Sequence, residues 1–361
     1  MIAARPALQP RPALFGLGHA FRLGVRLSSA QPVGLFQLRN PYPLRLSTGS
    51  NVAVARIPAA GPGPALKTPL VFLHGGPGAY VRDTDLEMLR AIAAQGVEVV
   101  TFDQAGAGLS DRLGVREYSL ARAVADLEAL REELGSDRLS IMGQSWGSML
   151  AFEYAVAHPG RVDSLVLTSG GLLSQRAQKF ELERTAAAEL GQPKFPVYFM
   201  ATALLHGVNP DAAVAFTPRE ELDATWRKAA AGNIARWYCK EDAASVPSED
   251  AFGKMPAFDA YQTLALKSAM TGRAEPPAPP SVLPRTLILR GACDFVPWIA
   301  ARDLRDRLEA TLISIPGVGH AIWPKEADLV VKLTVDHLKG SSFEKMAYRG
   351  DDDPAATAST R

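Results

Sequence analysis

The sequence predicts an α/β protein: a mostly parallel, doubly wound sheet with a helical segment inserted into it. Three observations carry that expectation. Short, continuous Val/Ile/Leu runs alternate with amphipathic stretches of helical period, as when strands are buried on both faces by crossover helices. The alternation stops between residues 172 and 280 and then resumes. A serine flanked by glycines stands directly between one strand run and one helical run.

Chain length and composition admit this fold and exclude several others. At 361 residues, 47% hydrophobic and 21% charged, the chain can bury a substantial core and does not read as disordered, collagenous or coiled-coil. A net charge of +1 supplies no field for nucleic acid or an anionic membrane, and no apolar run reaches the ~18 residues of a membrane span. The expectation is a soluble enzyme with no nucleic-acid partner, no membrane span and no cofactor. The only cysteines are Cys239 and Cys293. They lie far apart and outside any CxxC or Cys/His cluster, so they read as reduced thiols, neither disulfide-bonded nor holding a metal.

No Asp or Glu precedes Asp83, whereas Arg5, Arg11, Arg22, Arg26, Arg39, Arg45 and Arg56 all do. Residues 1–35 therefore read either as a basic N-terminal arm or as a transit peptide, which leaves a cytoplasmic and a mitochondrial or plastid location both open. Gly16, Gly18, His19 and Arg22 break up the apolar run that a secretory signal needs.

A first core part, 36–171, begins with weak alternation from Leu44 to Ile57 around Thr48-Gly49-Ser50-Asn51, the pattern of a hairpin. Pro69–His74 and Val97–Phe102 are continuous apolar runs, each stopped by glycines, with helical material over Asp83–Ala94 between them. Ser119 is placed to cap a helix whose stripe is Leu120, Val124, Leu127, Leu130 and Leu134, ending at Gly135. Strand character over Asp137–Met142, helical character over Trp146–Ala157 and strand character over Val162–Thr168 follow. Residues 172–280 hold no Val/Ile-rich run and read as an inserted helical lid ending in Glu275-Pro276-Pro277-Ala278-Pro279-Pro280. A second core part, 281–342, has strands at Thr286–Arg290 and Ala310–Ile315 and a helix over Glu326–Leu338. Residues 343–361 read as a polar tail.

Gly143-Gln144-Ser145-Trp146-Gly147 between strand and helix is the nucleophile-elbow pattern, in which glycines leave room for a turn tight enough to lift the serine hydroxyl out of the sheet. With it the fold class becomes the α/β-hydrolase fold. A serine needs an imidazole to take its proton and a carboxylate to orient that imidazole. Chain order in this fold is serine, acid, histidine. His320, on the glycine-rich loop after the strand at 310–315, is the candidate base; His19, His158, His206 and His337 fall in the arm, at a helix end, in the lid and within a helix. Asp294 follows the strand at 286–290 and is the candidate acid, ahead of Asp163 and Asp259. The N–H groups of Gly75 or Gly76, in His74-Gly75-Gly76-Pro77-Gly78, together with that of Trp146, would form an oxyanion hole. Each such donor is worth ~2.7–4 kcal/mol in the transition state.

Three segments together resemble the prolyl iminopeptidase family: His74-Gly75-Gly76-Pro77-Gly78, Asp103-Gln104-Ala105-Gly106-Ala107-Gly108-Leu109-Ser110 and Gly143-Gln144-Ser145-Trp146-Gly147. The resemblance spans roughly residues 65–340. It implies a cofactor-free serine hydrolase that releases an N-terminal residue, typically proline, from small peptides or amides through an acyl-enzyme. Where the family carries arginine after Asp-Gln, this chain has Ala105. Where the family's lid supplies acids for the substrate's free amine, this chain has Trp237-Tyr238-Cys239-Lys240-Glu241, and no residue is assigned that role. Other readings stay open: an esterase, lactonase or thioesterase, an acyl transferase, and a non-catalytic binding module on the same fold. The substrate is expected to be a small peptide, amide or ester; oligomeric state is not legible.

Overall fold

Strand-forming runs that cannot face water on either side have to lie in the middle of a covered sheet, and that is where they are found. The computed structural model describes residues 41–61, 66–177, 179, 196–231, 234–239, 241–242 and 258–354. The predicted arm or transit peptide, the end of the predicted tail and part of the predicted lid lie outside the described residues.

The strands are β1 (Tyr42–Arg45), β2 (Asn51–Ile57), β3 (Leu70–Leu73), β4 (Val99–Asp103), β5 (Leu139–Gln144), β6 (Val162–Thr168), β7 (Arg285–Gly291) and β8 (Thr311–Ile315). They form one sheet in the order β1-β2-β4-β3-β5-β6-β7-β8. β1 and β2 make the expected hairpin, with Leu46 and Ser50 bonded across the turn and Gly49 at φ 91°. β2 is antiparallel to β4, and every pairing from β4 to β8 is parallel. From β3 the chain steps outward to β4 and then back to β5 on the other side. The carboxyl ends of β3 and β5 therefore meet where the winding reverses, the place where open α/β sheets form a ligand crevice.

The helices described are α1 (Asp83–Ala93), α2 (Leu120–Glu133), α3 (Trp146–Ala157), α4 (Val197–Val208), α5 (Pro210–Phe216), α6 (Arg219–Ala231), α7 (Ala260–Thr271), α8 (Trp298–Leu308) and α9 (Trp323–Leu338). α2, α3 and α8 cover one face of the sheet through Leu127, Leu150 and Leu304. α1 and α9 cover the other through Leu89, Ile92, Val330 and Leu333. Each such side chain contributes about 1.5–3 kcal/mol by leaving water. The Ser119 hydroxyl accepts the N–H of Arg122 at the start of α2, and Gly135 follows its end at φ 62°, as the sequence predicts.

Most boundaries move by one or two residues, and two of the differences bear on the site. β5 runs on to Gln144, so it abuts the serine, and α9 starts at Trp323 rather than Glu326. Pro324 sits in the first turn of α9, where its missing N–H costs nothing, and a break at Glu326 (φ −124°, ψ 42°) divides the two parts. Between β6 and β7 the described residues form helices joined by loops and contain no strand. No helix among the described residues is long and apolar enough to cross a membrane.

Candidate active site

β5 delivers Gln144 to the crevice and α3 begins at Trp146, which leaves Ser145 as the single residue of the turn at φ 55°, ψ −115°. A non-glycine residue held there is strained. The turn is kept by Ser145 N–H donating to the Thr168 carbonyl at 2.8 Å and by Ser148 N–H donating to the Ser145 carbonyl at 3.0 Å. The two flanking glycines are required by space. A Cβ on Gly143 would stand 2.4 Å from the Gly147 carbonyl oxygen, and one on Gly147 would stand 2.1 Å from that of Leu73.

The loops after β7 and β8 bring the other two residues together. His320 Nδ1 lies 2.8 Å from Asp294 Oδ1, with both side chains almost fully buried. An ionised carboxylate there fixes hydrogen on Nδ1 and leaves Nε2 as the acceptor. Asp294 Oδ1 also accepts the N–H of Val296 at 2.9 Å. The imidazole is flanked by Phe295, with ring centroids 4.3 Å apart, and Trp237, at 5.9 Å. Its backbone is held at both ends. His320 N–H donates to the Trp237 carbonyl at 2.8 Å, and the Ser169 hydroxyl donates to the His320 carbonyl at 2.7 Å. Ser145 and His320 are thus anchored on adjacent residues, Thr168 and Ser169, at the end of β6. Among the described residues no hydrogen bond joins the Ser145 hydroxyl to the imidazole itself.

The glycine-rich loop after β3 lies beside the elbow, because Leu73 pairs with Gly143 in the sheet. A Cβ on Gly75 would meet Gln144 Oε1 at 2.1 Å, and Gly76 has φ 124°. Gln104 ties this loop to the elbow. Its Nε2 donates to the His74 carbonyl at 3.1 Å and its Oε1 accepts the Trp146 indole N–H at 2.7 Å. Its own N–H donates to His74 Nε2 at 3.0 Å, so the hydrogen of His74 is on Nδ1, 2.9 Å from the Gly75 carbonyl. Burial pushes the His74 pKa down to about 4, which keeps the ring neutral. Next to it Asp103 accepts the N–H groups of Val81 and Leu109, both at 2.9 Å, and burial pushes its pKa up to about 6.

A family model described as the alpha/beta hydrolase fold matches residues 68–326. The chain belongs to that family. Within it, the chain is similar to the proline iminopeptidase of Lactobacillus delbrueckii subsp. lactis, 39% identical over 123 residues, or 33% of this chain and 41% of that protein. That of Xylella fastidiosa strain 9a5c is 40% identical over 116 residues, covering 32% and 35% of the two chains. The chain thus spans about two-fifths or less of the length of these curated relatives. In fold it is similar to a proline iminopeptidase from Mycobacterium smegmatis, with TM-score 0.51 and 21% identity over 82% of this chain and 98% of the other. It is also similar to an esterase from Exiguobacterium antarcticum, with TM-score 0.56 and 15% identity over 83% and 100%.

The expectation of two reduced cysteines is overturned: Cys239 and Cys293 form a disulfide. Sequence spacing gave no sign of it, because the two meet only where the segment after residues 234–237 packs against the turn after β7. Sequence reasoning also passed over Gln104 and Arg290. The signal for Arg290 was a charge at the end of an apolar strand run. The side chain is 1% exposed and donates to the carbonyls of Gly291, Asp294 and Val296, which ties down the turn that carries the candidate acid. The rival acids have other work: Asp163 pairs with Arg138 at the surface, and Asp259 caps α7. Glu241 is exposed.

Proposed function

We propose that the chain is a serine hydrolase that releases an N-terminal residue of the proline type from small peptides or amides through an acyl-enzyme. The observation that carries this reading is the buried 2.8 Å bond between His320 Nδ1 and Asp294 Oδ1, beside a serine held at φ 55° on its elbow. In this reading His320 Nε2 takes the proton of Ser145 Oγ as the hydroxyl attacks the substrate carbonyl, then returns it to the leaving amine. The N–H groups of Trp146 and of Gly75 or Gly76 receive the developing oxyanion. Water, activated by the same imidazole, releases the acid and restores the serine. The proline-type substrate is supported by the similarity to proline iminopeptidases.

Ala105, where those enzymes are expected to carry arginine, favours a second reading as an esterase on a small apolar substrate. Steady-state kinetics with proline-β-naphthylamide and with p-nitrophenyl esters separate the two. The expected result is turnover of the naphthylamide that Ser145→Ala lowers by a factor on the order of 10⁴ to 10⁶. Turnover of esters alone rejects the peptidase assignment, and full activity in Ser145→Ala rejects the serine mechanism.

A further inference from the structure

The Cys239–Cys293 disulfide joins residues 54 apart in sequence, with Cα atoms 5.3 Å apart. Each end lies beside a member of the histidine–acid pair. Cys239 is two residues from Trp237, whose carbonyl accepts the main-chain N–H groups of His320 at 2.8 Å and Ala321 at 3.4 Å. Cys293 directly precedes Asp294, and its N–H donates to the Val318 carbonyl at 2.9 Å. The crossing of these segments is close. A Cβ on Gly319 would stand 2.3 Å from the Trp237 carbonyl oxygen and 2.9 Å from Tyr238 Cα, and one on Gly291 would stand 2.1 Å from the Gly319 carbonyl oxygen. Cys239 is 2% exposed, whereas Cys293 is half-buried.

We infer that this disulfide positions His320 against Asp294 and is a thiol-sensitive site that sets the rate of the enzyme; the inference rests on the serine-hydrolase reading above. The bond closes a ring in which the segment holding the His320 backbone and the turn bearing Asp294 cannot separate. A dithiol opens it by exchange. The Cys239–Cys293 S–S bond breaks, a new S–S bond forms within the dithiol, and its two hydrogens and electron pair end on the two cysteine thiols. Cys293 is the less buried of the two ends. Once the bond is open, only non-covalent contacts hold the Trp237 segment to the loops, among them its hydrogen bonds, the Trp237–His320 ring contact and the Asp242–Lys325 ion pair, and misplacement of a catalytic base by about 1 Å costs up to ~10²-fold in rate.

The experiment measures fluorophosphonate labelling of Ser145 in the full chain, a readout that needs no knowledge of the substrate, as a function of pH. Labelling is compared in oxidised protein, after reduction with dithiothreitol, and after reoxidation with diamide, with the thiol state followed by mass after alkylation. Reduction is expected to slow labelling about tenfold, shift the imidazole limb of the pH profile, and reverse on reoxidation. Cys239→Ser/Cys293→Ser is expected to be slow in both states. If that variant does not fold, the reversible reduction of the wild type decides. An unchanged rate and profile in verifiably reduced protein overturn the inference, as does air-oxidised protein in which both cysteines alkylate as free thiols. Absence of Ser145 labelling in oxidised wild type overturns the hydrolase reading on which the inference rests.

Discussion

Leu70, Val71 and Leu73 on β3 are fully buried in the apolar layers of the sheet, whereas Asp259, equally buried at the start of α7, is surrounded by polar partners. It accepts from the Arg219 guanidinium, from the Tyr118 hydroxyl at 2.7 Å and from the Tyr261 N–H at 3.0 Å. Its neighbour Asp223 accepts from Arg112 at 2.6 Å and from the Ala260 N–H at 2.8 Å. α7 reaches the site loops in the same manner, with Gln262 donating to the Ala105 carbonyl at 2.6 Å and Thr263 to that of Pro77 at 2.9 Å. The sheet is held by buried area, which any side chain of similar volume supplies. The inserted helices bury Phe199, Leu222 and Phe258 in an apolar cluster and α7 sends Leu266 and Met270 into the sheet core, but they are also docked by buried hydrogen bonds and ion pairs, which require particular atoms. α4 shows the difference on its own surface: it buries Phe199, Thr202 and His206 while Val197, Met200, Leu204 and Val208 stay exposed.

Volume-conserving substitutions in the two regions should therefore diverge. Arg219→Met leaves the Asp259 carboxylate, 0% exposed, without its cation, and is expected to cost about 3–5 kcal/mol by chemical denaturation. Arg219→Met/Asp259→Asn should recover most of that loss, because the neutral pair no longer strands a charge. A single variant as stable as the wild type would break the comparison. Between the regions stands Gln104→Met. It leaves the buried Trp146 indole N–H and His74 carbonyl without partners and should cost about 1–3 kcal/mol in the same assay. Leu127→Met, under the sheet, is expected to cost less than about 1.5 kcal/mol. A larger loss there would mean that the core, too, depends on shape at that position.

The smallest effect is a pH dependence. His74 and His337 are pushed down to about 4 by burial, the first against its hydrogen bond to the Gly75 carbonyl, the second with Arg285 lowering it further. Between pH 6.5 and 4 the unfolded chain binds protons that these folded rings do not, so stability falls as pH falls through that window. Asp103 opposes this. Burial raises its pKa to about 6, so the folded protein takes up its proton first. Burial also lowers His206 and raises Asp223, so three histidines stand against two carboxyls and the melting temperature should drop between pH 7 and pH 4.5. A melting temperature that holds level or rises over that range would show that the carboxyls outweigh the rings.

Most of the sheet was legible because a strand buried on both faces cannot hide its composition: the runs at 69–74, 162–168 and 286–290 each became a central strand. The elbow was legible because a turn of one residue between strand and helix demands glycine at positions 143 and 147. The helix of Leu120–Glu133 announced itself through its cap and stripe. Less was legible between residues 172 and 280, where helix ends carry few glycines and many of the buried contacts are made by Arg, Asp, Gln and Tyr, residue types that look the same in sequence whether solvated or paired.

The sequence by itself determined the order of elements, the place of Ser145 and the kinds of residue that could serve it, since each follows from local period, turn sterics and short spacing. Only the tertiary structure decided what meets across the chain: that Asp294 and His320 share a 2.8 Å bond, that Gln104 ties the His74 loop to Trp146, and that Cys239 reaches Cys293. Those contacts join residues far apart in sequence, and no local pattern records them, because the distance between two loops is fixed by the packing of the strands that carry them.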